Sequence, residues 1–212
     1  MHVPSTPFLV AHRAGNDVAM LRRAEAQRAR LVEADVHLYA GRLEVRHLKT
    51  LGPLPLLWDR WYLAPRHTRR MELRELLAAV GADTELMLDL KGVDPRLPGR
   101  LAGELADHPG PVTVCSRNWR FLRRLRGPRV VHSVGSRRQL RALRRRFAGR
   151  RLQGVSIDQR LLDAATVADL RRRADMVLAW PVPTADDARR LASWGVDGLI
   201  SERFEALAGE LA

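Results

Sequence analysis

The sequence predicts an α/β protein, a small single-domain (β/α)8 barrel of the TIM type, on three observations. Short apolar runs alternate with amphipathic helical stretches eight times over. Polar side chains stand at the ends of several runs, where such barrels gather their functional groups. No linker-like or low-complexity stretch interrupts residues 1–212, so the whole chain reads as one domain.

The strand candidates come in order: "FLVAHR" (8–13), "LVEADVH" (31–37), "ELMLDLK" (85–91), "PVTVCSR" (111–117), "RVVHSVG" (129–135), "GVSIDQ" (154–159), "MVLAWPV" (176–182) and "DGLIS" (197–201). Helices are expected near 19–30, 71–81, 98–107, 118–126, 136–147, 163–173, 184–194 and 203–211. Two of them have start signals. Ser136 precedes "RRQL", and Thr184 is followed three residues later by Asp187. A doubly wound open sheet would usually have fewer units. At 212 residues the chain is short for a barrel, which implies short loops. One segment breaks the rhythm. "LGPLPLLWDRWYLAPRHTRR" (51–70) is punctuated by proline and carries Trp58, Trp61 and Tyr62. It reads either as a packed loop or as a lip over the strand ends, with aromatic groups suited to an interfacial patch.

Composition narrows the function classes. No apolar run approaches the roughly 20 residues of a membrane span. The start, "MHVPSTPFLVAHR", has no basic region ahead of its brief apolar run, so it does not read as a secretory signal. Cys115 is the single cysteine, which excludes an intramolecular disulfide and fits a reducing compartment. A cytoplasmic location is the default expectation. The net charge of +13 draws anions of some kind. Its arginines sit mostly in helical stretches such as "RRQLRALRRRFAGRR", as solvated outer faces or as a polyanion-binding surface; peripheral contact with anionic membrane stays open. Zinc-finger spacing, an aromatic-basic RNA-binding pattern and a helix-turn-helix are all missing, which argues against nucleic acid.

The strand ends carry the chemistry. The first ends in His12-Arg13, the second in Glu33-Ala34-Asp35, the third in Asp89-Leu90-Lys91, and the seventh in Trp180. Glu33 and Asp35 are two apart, so a strand points both the same way. Two adjacent carboxylates repel unless a cation or a proton separates them. With Asp89 from the neighbouring strand they offer three oxygen ligands, a set that suits Mg2+ or Ca2+ better than Zn2+. The alternative pairs these acids with Arg13, Arg46 and Lys91 as ordinary barrel salt bridges. The return of the hairpin bears on this choice. A three-residue loop, Ala40-Gly41-Arg42, would set His47 opposite Asp35, Val45 opposite His37 and Leu43 opposite Tyr39. A two-residue turn would put Arg46 opposite Asp35 and turn His47 away. The three-residue loop is expected. It would place two histidines, His12 and His47, beside the carboxylates, able to divide general-acid and general-base duties near neutral pH.

At these residues the sequence resembles the glycerophosphodiester phosphodiesterase family, whose fold is a (β/α)8 barrel. "AHRAGN" resembles the family's opening His-Arg-Gly and later Asn. "EADVHLYAGRLEVRH" resembles its Glu-x-Asp-Val, Asp-Gly and second histidine, and "LMLDLK" its Glu-Ile-Lys. "VTVCSRNWRFLRRLR" resembles its fourth-strand serine segment, and "VLAWPVPTADDARRLASWGVDGLISE" its Trp-containing strand and closing Gly-Val-Asp-Gly-Ile. The resemblance implies acid/base roles for His12 and His47, metal ligation by Glu33, Asp35 and Asp89, phosphate contacts from Arg13 and Lys91, and a rim aromatic at Trp180. The implied cofactor is one divalent cation, Mg2+ or Ca2+. The implied reaction is cleavage of a small phosphodiester, with one histidine activating water or a neighbouring hydroxyl and the other protonating the leaving alcohol. Three positions depart from the pattern. Ala14 replaces the glycine of His-Arg-Gly. Asp89 is one methylene shorter than the usual glutamate, as in the related sphingomyelinase D-type phospholipases. Leu48 stands where an aspartate usually follows the second histidine, so a customary partner of His47 is missing. Two other functions stay open: phospholipase D-like action on lysophospholipids, motivated by Trp58, Trp61 and the basic surface, and a non-catalytic barrel binding phosphorylated ligands or polyanions.

Overall fold

The computed structural model describes residues 6–50, 56–59, 62–65 and 69–211. Among them the chain forms β1 (Phe8–Ala11), α1 (Val18–Ala26), β2 (Leu31–Tyr39), β3 (Arg42–Val45), β4 (Lys49–Thr50), β5 (Leu56–Asp59), β6 (Tyr62–Pro65), β7 (Met71–Glu72) and α2 (Leu73–Ala79). Then come β8 (Glu85–Leu90), α3 (Leu97–Leu105), β9 (Val112–Ser116), α4 (Trp119–Leu122), β10 (Arg129–Val134) and α5 (Arg137–Arg146). The chain finishes with β11 (Gly154–Asp158), α6 (Ala164–Arg173), β12 (Val177–Trp180), α7 (Ala185–Ser193), β13 (Gly198–Ser201) and α8 (Phe204–Leu211).

Eight of these strands close a parallel barrel in the order β1, β2, β8, β9, β10, β11, β12, β13, with β13 pairing back onto β1. This is the (β/α)8 barrel that the eight alternating segments predict. Each expected strand and helix has its counterpart within a few residues. The largest shortfall is α4, a single turn where 118–126 was expected. Both start signals hold. Ser136 Oγ accepts a hydrogen bond from the backbone N–H of Gln139, and Thr184 Oγ1 accepts one from that of Asp187.

Alternation along the strands divides the core in two. Val10, Leu31, Met87, Val131, Leu178 and Ile200 fill the lumen. Their neighbours one residue away, such as Ala11, Val32 and Leu88, face outward and join the core cluster under the helices that includes Leu21, Leu73 and Leu101. The lumen is therefore plugged with side chains, and functional groups have room only above the plug, at the C-terminal ends of the strands. Among the described residues no helix is long and apolar enough to cross a membrane.

The register of the hairpin corrects the expectation. β2 and β3 join through a two-residue turn, Ala40-Gly41, with Val36 opposite Val45, His37 opposite Glu44 and Leu38 opposite Leu43. Both turn residues have positive φ, 48° and 79°, as a type I′ hairpin requires. Gly41 adopts that angle freely, whereas Ala40 is strained. The reason is side-chain matching. Directly opposed residues share a face, and this register stacks valine on valine and leucine on leucine, whereas the three-residue loop would have set Val45 against His37. Between β3 and β7 the chain forms a small antiparallel sheet, β4–β5–β6, instead of a loop. Trp58 lies half-buried there under Lys49, whose Nζ is 5.1 Å from the ring centroid. Trp61 lies outside the described residues.

Candidate active site

β2 and β8 build the centre of the site. Their parallel register puts Asp35 directly beside Asp89, with Glu33 one lumen-facing position below. One carboxylate oxygen from each of the three lies within 4.8 Å of the others. Glu33 and Asp35 are buried, and Asp89 is partly covered. Such crowding cannot hold three full negative charges without compensation. Burial, reinforced by the charge of Asp35, pushes Glu33 well above the usual carboxylate range. Burial raises Asp89 as well. Asp35 goes the other way: burial pushes it up, but hydrogen bonding from His47, the charge and hydrogen bond of Lys91, and Asn16 together hold it well below.

The compensating groups are neighbours in the fold. Lys91, just past β8, sets its ammonium 2.8 Å from Asp35 Oδ1 and in contact with Asp89 Oδ2. Burial disfavours its charge, yet the three carboxylates raise its pKa above the ordinary lysine value. Arg13 follows β1 in a left-handed conformation, φ 60°, a strained setting for a non-glycine residue. That backbone turns its N–H onto Glu33 Oε2 at 2.7 Å. It also leads into a single 3-10 turn, Ala14–Asn16, which brings Asn16 to Asp35: Nδ2 donates to Oδ2 at 2.9 Å, and Oδ1 accepts from the Asp35 backbone N–H at 2.8 Å.

The two histidines flank the acids. His12 Nε2 lies 3.7 Å from Glu33 Oε2, and its Nδ1 lies 3.5 Å from Glu202 Oε1, at the end of β13. Burial, with help from the Arg13 charge, lowers its pKa to about 4. His47 reaches the site despite the two-residue turn. Pairing on β3 stops at Val45; Arg46 stays opposite Asp35, giving its N–H to the Asp35 carbonyl at 3.0 Å. The next residue then bends back, so that His47 Nδ1 meets Asp35 Oδ2 at 3.1 Å. Its Nε2 lies 2.8 Å from the Arg13 guanidinium. Arginine can only donate, so Nε2 accepts and Nδ1–H donates to Asp35. Asp35 thus holds the His47 ring, whereas Leu48, next in sequence, offers no side-chain acceptor. Arg46 turns away from the carboxylate cluster to Glu44, 2.7 Å from Nε.

His12, Arg13, Glu33, Asp35, His47, Asp89 and Lys91 therefore form one connected network. Trp180 is not hydrogen-bonded into it. It stands at the end of β12, half-buried against the lumen plug, with the Arg117 guanidinium 4.8 Å from its ring centroid. Sequence reasoning missed three neighbours. Asn16 was visible only as the last residue of "AHRAGN". Glu202, 2.8 Å from the Arg13 guanidinium, closes the "GLISE" strand. Arg117 directly follows the fourth strand. All three sit one or two residues beyond a strand or in the turn after it. The donor set at the centre suits an oxygen-seeking divalent cation. It offers three carboxylates, of which Asp89 Oδ1 is buried without a hydrogen-bond partner among the described residues.

No family model matches the chain, and no curated protein matches its sequence. Solved structures do match it. A phosphodiesterase from Oleispira antarctica, in complex with the product sn-glycerol-3-phosphate, superposes with a TM-score of 0.77 at 18% identity, over 97% of each chain. A glycerophosphodiester phosphodiesterase from Thermotoga maritima gives 0.77 at 14% identity over 100% of both chains. One from Parabacteroides distasonis gives 0.72 at 21% identity, over 99% of this chain and 98% of the other. At these identities the shared property is the fold.

Proposed function

We propose that the chain is one catalytic domain, spanning residues 1–212, that hydrolyses glycerophosphodiesters to glycerol phosphate and an alcohol. The observation that carries this reading is the carboxylate cluster of Glu33, Asp35 and Asp89 at the barrel mouth, flanked on its two sides by His12 and His47. The structural likeness to glycerophosphodiester phosphodiesterases, one of them holding sn-glycerol-3-phosphate, supports it.

Glu33, Asp35 and Asp89 would hold one Mg2+ or Ca2+, which when bound supplies Lewis-acid polarisation of a phosphoryl oxygen. The protein's own side chains do the rest. Arg13 and Lys91 bind the phosphate and offset the charge that builds on its oxygens as the bond to the leaving group breaks. Arg13 is suited to this because its side chain is only partly buried and its present partners, His47 Nε2 and Glu202, are exchangeable hydrogen-bond acceptors. When its guanidinium turns to the phosphate, the Nε2 lone pair of His47 becomes free, with the ring still held through Nδ1 by Asp35. His12, across the cluster, is the second proton-transfer group. Between them one histidine removes a proton from the attacking oxygen and the other delivers one to the leaving alcohol.

The test is hydrolysis of a panel of deacylated glycerophosphodiesters by purified protein with Mg2+, with Ca2+, or with EDTA. Turnover that stops in EDTA and falls about 10²–10⁴-fold in His12→Ala is expected. Metal-independent turnover, or turnover unchanged in His12→Ala, contradicts the mechanism. Lysophosphatidylcholine in the same panel checks the phospholipase D-like alternative, which is favoured if it alone is cleaved.

A further inference from the structure

The mouth has a second arc, over β9 to β12, that the chemistry above does not use. Arg117 leaves the end of β9 and runs along this arc. It passes Gly135 after β10 so closely that a Cβ there would lie 2.7 Å from the guanidinium carbon. It ends over the Trp180 ring at the end of β12, 4.8 Å from the centroid. The intervening acid, Asp158 on β11, pairs with Arg160 and feels the charge of Arg117 without pairing with it. Among the described residues Arg117 itself has no carboxylate within ion-pairing distance, and its side chain is exposed. One residue thus reaches across three strand ends and presents a guanidinium to whatever lies in the mouth.

We infer that Arg117, laid over Trp180, is a specificity-determining residue that selects glycerophosphodiesters whose head group is anionic or rich in hydroxyls and disfavours quaternary ammonium head groups such as choline. This rests on the reading of the site as a glycerophosphodiester hydrolase. An aromatic ring at a binding rim is a natural seat for a quaternary ammonium, held by the electrons of its face. Here one part of Trp180 packs on the lumen plug and its ring is already covered by a cation. A choline group would have to displace Arg117 or lie against a like charge. A guanidinium instead offers five N–H donors and no acceptor, which suits phosphate, carboxylate and hydroxyl oxygens. The surrounding charge points the same way. Residues 111–175, which include β9, β10 and β11, hold eighteen arginines against four aspartates and no lysine or glutamate. That arc of the barrel carries the whole of the protein's positive excess, and its field favours an anionic head group.

The experiment compares kcat/KM for glycerophosphoinositol and glycerophosphoglycerol with that for glycerophosphocholine. The wild-type protein is expected to prefer the hydroxyl-rich pair by roughly tenfold, mostly through KM. Arg117→Ala uncovers Trp180 and should bring the ratio towards one. Gly135→Ala keeps the charge but pushes the guanidinium off the ring, and should shift the ratio in the same direction. Equal wild-type turnover of the choline and inositol diesters, or a ratio unmoved in both variants, overturns the inference. Equilibrium binding of the same intact diesters to His12→Ala in EDTA separates it from the hydrolase reading. A binding preference without turnover by the wild type sinks the hydrolase and leaves the selectivity standing; binding without preference sinks the selectivity.

Discussion

Over β1, β2 and β8 the barrel mouth carries three covered carboxylates tied to Arg13, Asn16, His47 and Lys91, of which Arg13, His47 and Lys91 each serve more than one partner and Asn16 holds Asp35 at two points. Over β9 to β12 it carries Trp180, the Asp158–Arg160 pair and the exposed Arg117, which has no carboxylate within ion-pairing distance among the described residues and feels Asp158 only through its longer-range charge. The first arc is a closed account of charge, in which removing any member leaves another unbalanced. The second is assembled from separable contacts. Two buried aspartates show the difference. Asp35 accepts from Asn16 and His47 and lies 2.8 Å from the Lys91 ammonium. Asp158 is as well buried, but its side-chain partner is Arg160, itself mostly in solvent. Asp35→Ala should lower kcat/KM by about 10²–10⁴-fold, because His47 loses its anchor, and should cost roughly 3 kcal/mol of stability. Asp158→Ala should cost under about 1 kcal/mol, as expected where one partner is solvated. Urea unfolding of both variants measures this, and equal losses would erase the distinction between the arcs.

The second arc has a buried histidine of its own, behind the mouth. His132 on β10 faces outward, between Trp119 of α4 and Phe147 just past α5, its ring 4.7 Å from that of Phe147 and 5.8 Å from that of Trp119. Burial, and then the charge of Arg146, lowers its pKa to about 4. The unfolded chain would take up that proton near pH 6.5, before the folded one does. His132 therefore contributes stability that is complete above about pH 6.5 and lost as pH falls towards 4, on the order of 3 kcal/mol in all. His12 drifts the same way, so the measurement is a difference: urea midpoints at pH 7, 5.5 and 4.5 for wild type and His132→Gln. The wild type should lose more stability on acidification than the variant. Parallel curves would show that His132 titrates alike in both states.

A third contrast concerns added cations. Mg2+ or Ca2+ at a hundredfold excess over its Kd should stabilise the protein by about 2.7 kcal/mol. Thermal unfolding should show the gain in wild type and in Arg117→Ala, and not in Glu33→Gln. A gain that survives Glu33→Gln would move the cation away from the first arc.

Much of the first arc was legible in the sequence because strand periodicity fixes side-chain direction. Glu33 and Asp35 had to point alike, and Asp89 had to come from a neighbouring strand. The barrel itself was legible from the eightfold alternation. The hairpin differs from the expected three-residue loop because the pairing of Val36 with Val45 and Leu38 with Leu43 outweighs the strain at Ala40. His47 reaches Asp35 all the same, through a bend after the last paired residue that no register rule describes. Arg117 and Glu202 were missed for a related reason. They lie just beyond strand ends, where direction is set by irregular backbone and by partners remote in sequence.

The smallest expected effect tests the second arc at its surface. α5 and α7 both begin with a hydroxyl cap, but their first turns differ. α7 carries Asp186 and Asp187, which favour the positive end of the helix dipole, whereas α5 carries Arg137 and Arg138, which oppose it. Both arginines are exposed and have no carboxylate within ion-pairing distance among the described residues. Arg138→Glu should therefore raise stability by about 0.3–1 kcal/mol at low salt, and the gain should shrink as salt screens the dipole. The equivalent change at α7, Asp186→Arg, should lower stability by a similar amount. If Arg138→Glu instead destabilises, that arginine has a favourable partner, and the second arc is a knit charge network like the first.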